Sequence, residues 1–237
     1  MKTLALLLLA LCPSCAFLPR PVKSPVPVLE AGKTGGNEMV VFLPGRWSRA
    51  AEFEREKFFE MAARQWPQAR LVAPDLHIGY YKNRTLAKRI HEDIVQPARK
   101  SGVKKLRFVG ISMGGLGALI YDAEHPGEVD EMILLSPFVG EDEALREIAA
   151  AGGVGEWRPG EIKERDFTRK LWLKLREKHH VRRDAPRILL GCGRGDRLAE
   201  SNRLFAGSFL KPGDVLWRDG GHDWETWRDL FGDLSAR

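Results

Sequence analysis

From residue 38 onward, short unbroken apolar runs alternate with longer segments of helical period, and few folds accommodate that pattern. The runs are Met39–Leu43, Leu71–Ala73, Leu106–Val109, Met132–Leu135, Ile188–Cys192 and Asp214–Trp217. Apolar side chains on successive residues suit strands covered on both faces, which is the signature of parallel sheets. Helical period is expected over 49–65, 85–100, 114–125 and, closing the chain, 223–234. The implied class is α/β, with a predominantly parallel, doubly wound sheet. Such sheets bind ligands at the carboxyl ends of their strands. A length of 237 residues suits one such domain. With 43% hydrophobic and 30% charged residues, the composition excludes an integral membrane protein and a disordered chain.

Two segments fall outside the alternation. Residues 139–185 carry Gly152-Gly153, Pro159-Gly160 and a helical stretch with Phe167, Leu171, Trp172 and Leu175. They read either as a cap inserted over a site or as a crossover helix with a long surface loop. At the other end, Lys2 and the apolar stretch to Leu11 have the form of an export signal over residues 1–16, too short to span a bilayer. Ser14-Cys15-Ala16 fits the small-x-small rule of signal cleavage, and Cys15 also resembles the lipidated cysteine of a bacterial lipoprotein. Export to the periplasm, cell envelope or medium is therefore expected, with membrane association through a lipidated Cys15 as one of two outcomes. Residues 17–37, with Pro19, Pro21, Pro25 and Pro27, read as an extended tether, leaving 38–237 as the folded domain.

Charge and cysteine content limit the partners. The formal net charge is +6, but Lys104-Lys105, Arg169-Lys170 and Arg182-Arg183 are dispersed among acids and lack a platform of aromatics. Nucleic-acid binding is not expected. With Cys12 and Cys15 in or beside the signal, Cys192 stands alone in an apolar run and reads as a small core residue.

The densest chemical signal is Gly110-Ile111-Ser112-Met113-Gly114-Gly115, a G-x-S-x-G pattern between an expected strand and an expected helix. Glycines there permit a tight turn and close strand–helix approach, lifting Ser112 to a helix N-terminus where the dipole favours developing negative charge. The run lacks the order of a dinucleotide loop and the lysine of a P-loop. A serine hydroxyl needs a base. His222 follows the last expected strand, whereas His91 and His125 lie on helices, His179-His180 in the inserted segment, and His77 ahead of the nucleophile, where it could line a pocket. The base in turn needs a carboxylate to orient it. Asp196, in the loop after the Cys192 strand, is the favoured candidate; Asp219, Asp223, Glu141 and Asp142 are the alternatives.

Ser112, Asp196 and His222, each after its own strand and in that chain order, resemble the α/β-hydrolase family over about residues 38–235. Gly220-Gly221-His222-Asp223-Trp224 looks like the histidine loop of its esterase branch. The resemblance implies a minimal α/β-hydrolase fold whose two leading strands are missing or abbreviated. It implies an oxyanion hole formed by the backbone N–H groups of Met113 and Arg46, the latter in Leu43-Pro44-Gly45-Arg46-Trp47. It also implies cleavage of carboxylic esters in a small-molecule ester or acyl substrate, without metal or organic cofactor. An acyltransferase, thioesterase or amidase with the same residues is the alternative, and a non-catalytic binding protein on the same scaffold is the alternative of another class. Trp47, Tyr80, Tyr81, Trp157 and Trp172 are candidate pocket aromatics.

Overall fold

The computed structural model describes residues 20–181 and 185–237. The expected signal, with Cys12 and Cys15, lies outside them. In chain order the strands are β1 (Val28–Gly32), β2 (Glu38–Leu43), β3 (Ala69–Pro74), β4 (Lys105–Ile111), β5 (Glu131–Leu135), β6 (Arg187–Gly193) and β7 (Val215–Arg218). They form one sheet in the order β1-β3-β2-β4-β5-β6-β7. All neighbours are parallel except β1, which runs antiparallel to β3 along the edge. The α/β architecture with a mostly parallel sheet is thus as expected. One leading strand precedes β2, inside the stretch expected to be tether. Its burial alternates residue by residue, as suits an edge strand covered on one face, and that short alternation with Pro27 before it carries little signal.

The remaining elements cover the sheet. Helices α1 (Ala50–Arg55), α2 (Phe58–Gln65) and α10 (Trp224–Ser235) enclose one face, where Val40, Phe42, Val109, Ile133 and Leu189 point. The other face, with Met39, Val41, Phe108 and Leu134, lies under α3 (Ile78–Lys82), α4 (Leu86–Ile90), α5 (Gln96–Lys100), α6 (Met113–Glu124), α7 (Asp142–Ala150), α8 (Phe167–Val181) and α9 (Ala199–Phe209). Each strand from β2 to β7 feeds both cores, which is why successive residues there are mostly apolar.

Three expected elements are refined. The helix over 49–65 breaks at Lys57, whose φ of 65° is left-handed, so that Phe53 and Phe58 meet edge to face at 5.6 Å. The helix over 85–100 continues through Pro97 by widening to a π-turn at His91–Val95, where the Gln96 N–H reaches back to the His91 carbonyl. The wider turn makes room for a ring that would clash with the preceding turn. Within 139–185, α7 and the long α8 both form. Trp172 is fully buried and donates its indole N–H to Val139 O at 2.8 Å, so this segment is packed onto the core rather than looped from it.

Candidate active site

The turn after β4 is built by exclusion. A Cβ on Gly114 would lie 1.9 Å from Leu43 O, and one on Gly110 would lie 2.7 Å from Gly114 O. Only glycine lets α6 start this close to the ends of β2 and β4. Ser112, at the helix N-cap, takes φ 51° and ψ −114°, a conformation rare for a residue with a side chain. Strain of this kind persists where surrounding structure enforces it. Here Ser112 N–H donates to Leu135 O at 2.9 Å, and Ser112 O accepts from Phe138 N–H at 2.9 Å.

The other two residues arrive on loops joined to each other. Gly195 N–H donates to Gly220 O at 3.0 Å and Arg194 N–H to Arg218 O at 2.7 Å, so the loops after β6 and β7 move as one. The result is a hydrogen-bonded chain: Ser112 Oγ lies 3.0 Å from His222 Nε2, and His222 Nδ1 lies 2.8 and 3.0 Å from the two Asp196 carboxylate oxygens. Trp227 stands edge-on to the imidazole, 4.9 Å between ring centres, and limits its tilt. The Asp196 carboxylate is shut off from solvent. Burial pushes its pKa up, but hydrogen bonds from His222 and from the Leu198 N–H at 2.8 Å more than offset this and hold it below the ordinary value. The fully buried Ser136 hydroxyl stands nearby and adds a weaker interaction, outside hydrogen-bond geometry.

The five residues singled out from the sequence converge. Gly45 packs against Ser112, and Ser48 N–H closes a turn onto Gly45 O at 3.1 Å that presents Arg46. Met113 opens α6, where the first N–H groups have no partner within the helix. Arg46 and Met113, the latter next to Ser112 in the chain, also line one groove of about 810 Å³ between α6 and α8, whose lining does not include Ser112 or His222. Of the alternative carboxylates, Asp219 is almost fully exposed beside Arg194, Asp223 caps α10 by accepting from Thr226 N–H at 2.9 Å, Glu141 lines the groove, and Asp142 opens α7. His77 caps α3, accepting from Gly79 N–H at 3.1 Å, and does not line the groove. Of the candidate aromatics, Tyr81 lines the groove and donates to Met113 O at 2.8 Å. Tyr80, Trp157 and Trp172 are core residues, while Trp47 is 76% exposed beneath the Arg46 guanidinium. Burial pushes the Cys192 thiol up to about 12, consistent with a core residue. Among the described residues no group of His, Cys, Asp and Glu could hold a metal ion. One bracing residue carries no sequence signal beyond its polarity: Asn202, whose amide donates to Pro137 O at 2.9 Å and Leu198 O at 2.8 Å.

A family model described as "Putative esterase" matches residues 80–237. The chain belongs to this esterase family. No curated protein sequence matches it. Among solved structures, a ferulic-acid complex of Est1E from Butyrivibrio proteoclasticus is 17% identical, covers 89% of this chain and 92% of its own, and has a TM-score of 0.60. S-formylglutathione hydrolase FrmB from Staphylococcus aureus is 16% identical over 84% of this chain and 78% of its own, with a TM-score of 0.54. The substrate-bound serine hydrolase FphF from the same organism is 14% identical over 84% and 81%, with a TM-score of 0.56. At these identities the likeness is one of fold, and the fold is the α/β-hydrolase.

Proposed function

We propose that the protein is a serine esterase in which Ser112 is the nucleophile, His222 the general base and Asp196 the residue that orients and charges the base. The observation that carries this reading is the continuous hydrogen-bonded chain from Asp196 through His222 to Ser112 Oγ, at 2.8 and 3.0 Å, with Met113, the residue after Ser112, lining a groove together with Arg46. His222 Nε2 takes the Ser112 proton as Oγ attacks the ester carbonyl. The backbone N–H groups of Met113 and Arg46 hold the oxyanion, an arrangement in which each donor is worth about 100- to 1,000-fold in rate. Collapse breaks the ester C–O bond, and the alcohol leaves with the proton from His222. Water, deprotonated by the same imidazole, then attacks the Ser112 acyl ester and releases the acid.

A fluorophosphonate probe tests the reading directly. Ser112 is the labelled residue, located by mass spectrometry, and labelling is lost in folded Ser112→Ala and His222→Ala variants. A folded wild-type protein that takes no label under conditions where small esters enter the groove refutes it. The same proposal places the enzyme outside the cytoplasm, carried by residues 1–16. The mass of the mature N-terminus, with or without a lipid on Cys15, decides that part.

A further inference from the structure

The groove is not uniform along its length. Helices α6 and α8 both lead away from the carboxyl edge of the sheet, because Glu141 N–H donates to Thr168 Oγ1 at 3.0 Å and Trp172 to Val139 O, just past the end of β5. Met113, Leu116, Ile120 and Ala123 line one wall, and Phe167 and Leu171 face them from α8. The α6 wall is roughly 16 Å long at about 1.5 Å per residue, the reach of a straight acyl chain of medium length.

Charge is concentrated at the catalytic end. Lys82 follows Tyr81, whose hydroxyl donates to Met113 O at 2.8 Å, and Arg165 and Lys170 flank Thr168, whose hydroxyl accepts from Glu141 N–H at 3.0 Å; these three line the groove with Arg46, Arg84 and Glu141, whereas Lys174, Glu124 and Glu177 line it farther along α6 and α8. Arg84 is paired with Glu164 at 3.2 Å, and Lys170 donates to the Glu164 carbonyl at 2.6 Å. Among the described residues no ion pair engages Arg46, Lys82 or Arg165. An apolar furrow alone suits any hydrophobic acyl chain. Unpaired cations at its catalytic end favour a ligand that brings a negative charge to that place, since charge-assisted hydrogen bonds are stronger than neutral ones.

We propose that the substrate is an anionic amphiphile: an ester whose medium-length acyl chain lies between α6 and α8, and whose alcohol portion carries a carboxylate or phosphate close to the ester, held by Lys82 and Arg165. This rests on the Ser112 reading above and adds its substrate class.

The test pairs p-nitrophenyl octanoate with its ring-carboxylated analogue. The wild-type enzyme prefers the carboxylated ester in kcat/KM by about tenfold or more, as expected for hydrogen bonds to an ionised partner, and the preference shrinks as salt screens it. In the K82Q/R165Q double variant the ratio of the two esters falls towards one. A second arm uses Ser112→Ala protein and calorimetry, in which octyl phosphate binds more tightly than octanol. A wild-type enzyme that is labelled at Ser112 but favours the neutral ester, with no preference for octyl phosphate, overturns the substrate class and leaves the esterase reading standing. Preferential binding of octyl phosphate by a protein that neither labels nor hydrolyses either ester overturns the esterase reading and keeps the groove as an anionic-amphiphile site.

Discussion

Asp196→Asn is the most informative single substitution, because the geometry dictates which way the new amide must face. Asp196 Oδ1 accepts the Leu198 N–H at 2.8 Å, so the asparagine carbonyl oxygen has to occupy that position. Its NH2 group then takes the Oδ2 position, 2.8 Å from His222 Nδ1. A donor there forces Nδ1 to accept, which moves the imidazole proton to Nε2 and points it at Ser112 Oγ, 3.0 Å away. An imidazole protonated at Nε2 cannot take the serine proton. The volume of the side chain is unchanged, so the fold persists while kcat falls by about 10⁴, the loss typical of a wrong tautomer. That corresponds to roughly 5 kcal/mol at about 1.4 kcal/mol per tenfold. The assay is kcat and kcat/KM on p-nitrophenyl butyrate, with circular dichroism to confirm the fold. Asp219→Asn is the control: that side chain is 98% exposed and its loss changes the rate less than about twofold. An Asp196→Asn enzyme within tenfold of wild type refutes the assigned roles.

Other expectations are briefer. Gly114→Ala brings a Cβ to within 1.9 Å of a backbone oxygen that cannot yield without moving β2, and overpacking of this kind costs about 1–3 kcal/mol or more; calorimetry shows a melting point lowered by at least about 3 °C. Trp172→Ala removes a fully buried ring and leaves Val139 O unpaired, at a cost of about 3–5 kcal/mol read from urea unfolding. His125 is held below its ordinary value of 6.5 first by burial and then by His91, whose ring stacks on it at 4.2 Å. The unfolded chain therefore binds a proton that the folded chain resists, so this contribution to stability is intact above pH 6.5 and is lost as pH falls below that value. His125→Gln flattens the fall in melting temperature between pH 7 and 5; an unchanged slope refutes the assignment.

Much of this site was legible because the chemistry and the fold leave the same marks. Glycines at 110 and 114 are required by the close approach of α6 to Leu43 and Gly110, so the pattern that flags the proposed nucleophile is also the pattern that builds its turn. Mostly apolar runs located six of the seven strands for a similarly direct reason, since each packs side chains against both cores. The strand β1 escaped because an edge strand needs only every second residue to be apolar. Helix α9 also went unread: its buried positions Asn202, Phe205, Ala206 and Phe209 keep helical spacing, but a polar residue at the first of them masks it. The bracing by Asn202 and the groove itself depend on which side chains meet across elements, and no local pattern encodes that.

The backbone ties between the loops after β6 and β7 have a consequence for how such a chain matures. His222 stands directly ahead of α10, and its position depends on α10 docking onto the sheet. In the proposed mechanism the base comes 110 residues after the serine, so a nascent chain that has not reached α10 carries an inert hydroxyl. In the finished protein, fraying of the last helix silences the enzyme before it unfolds the sheet. Catalytic rate is then a more sensitive gauge of the docking of α10 than any spectroscopic measure of folding.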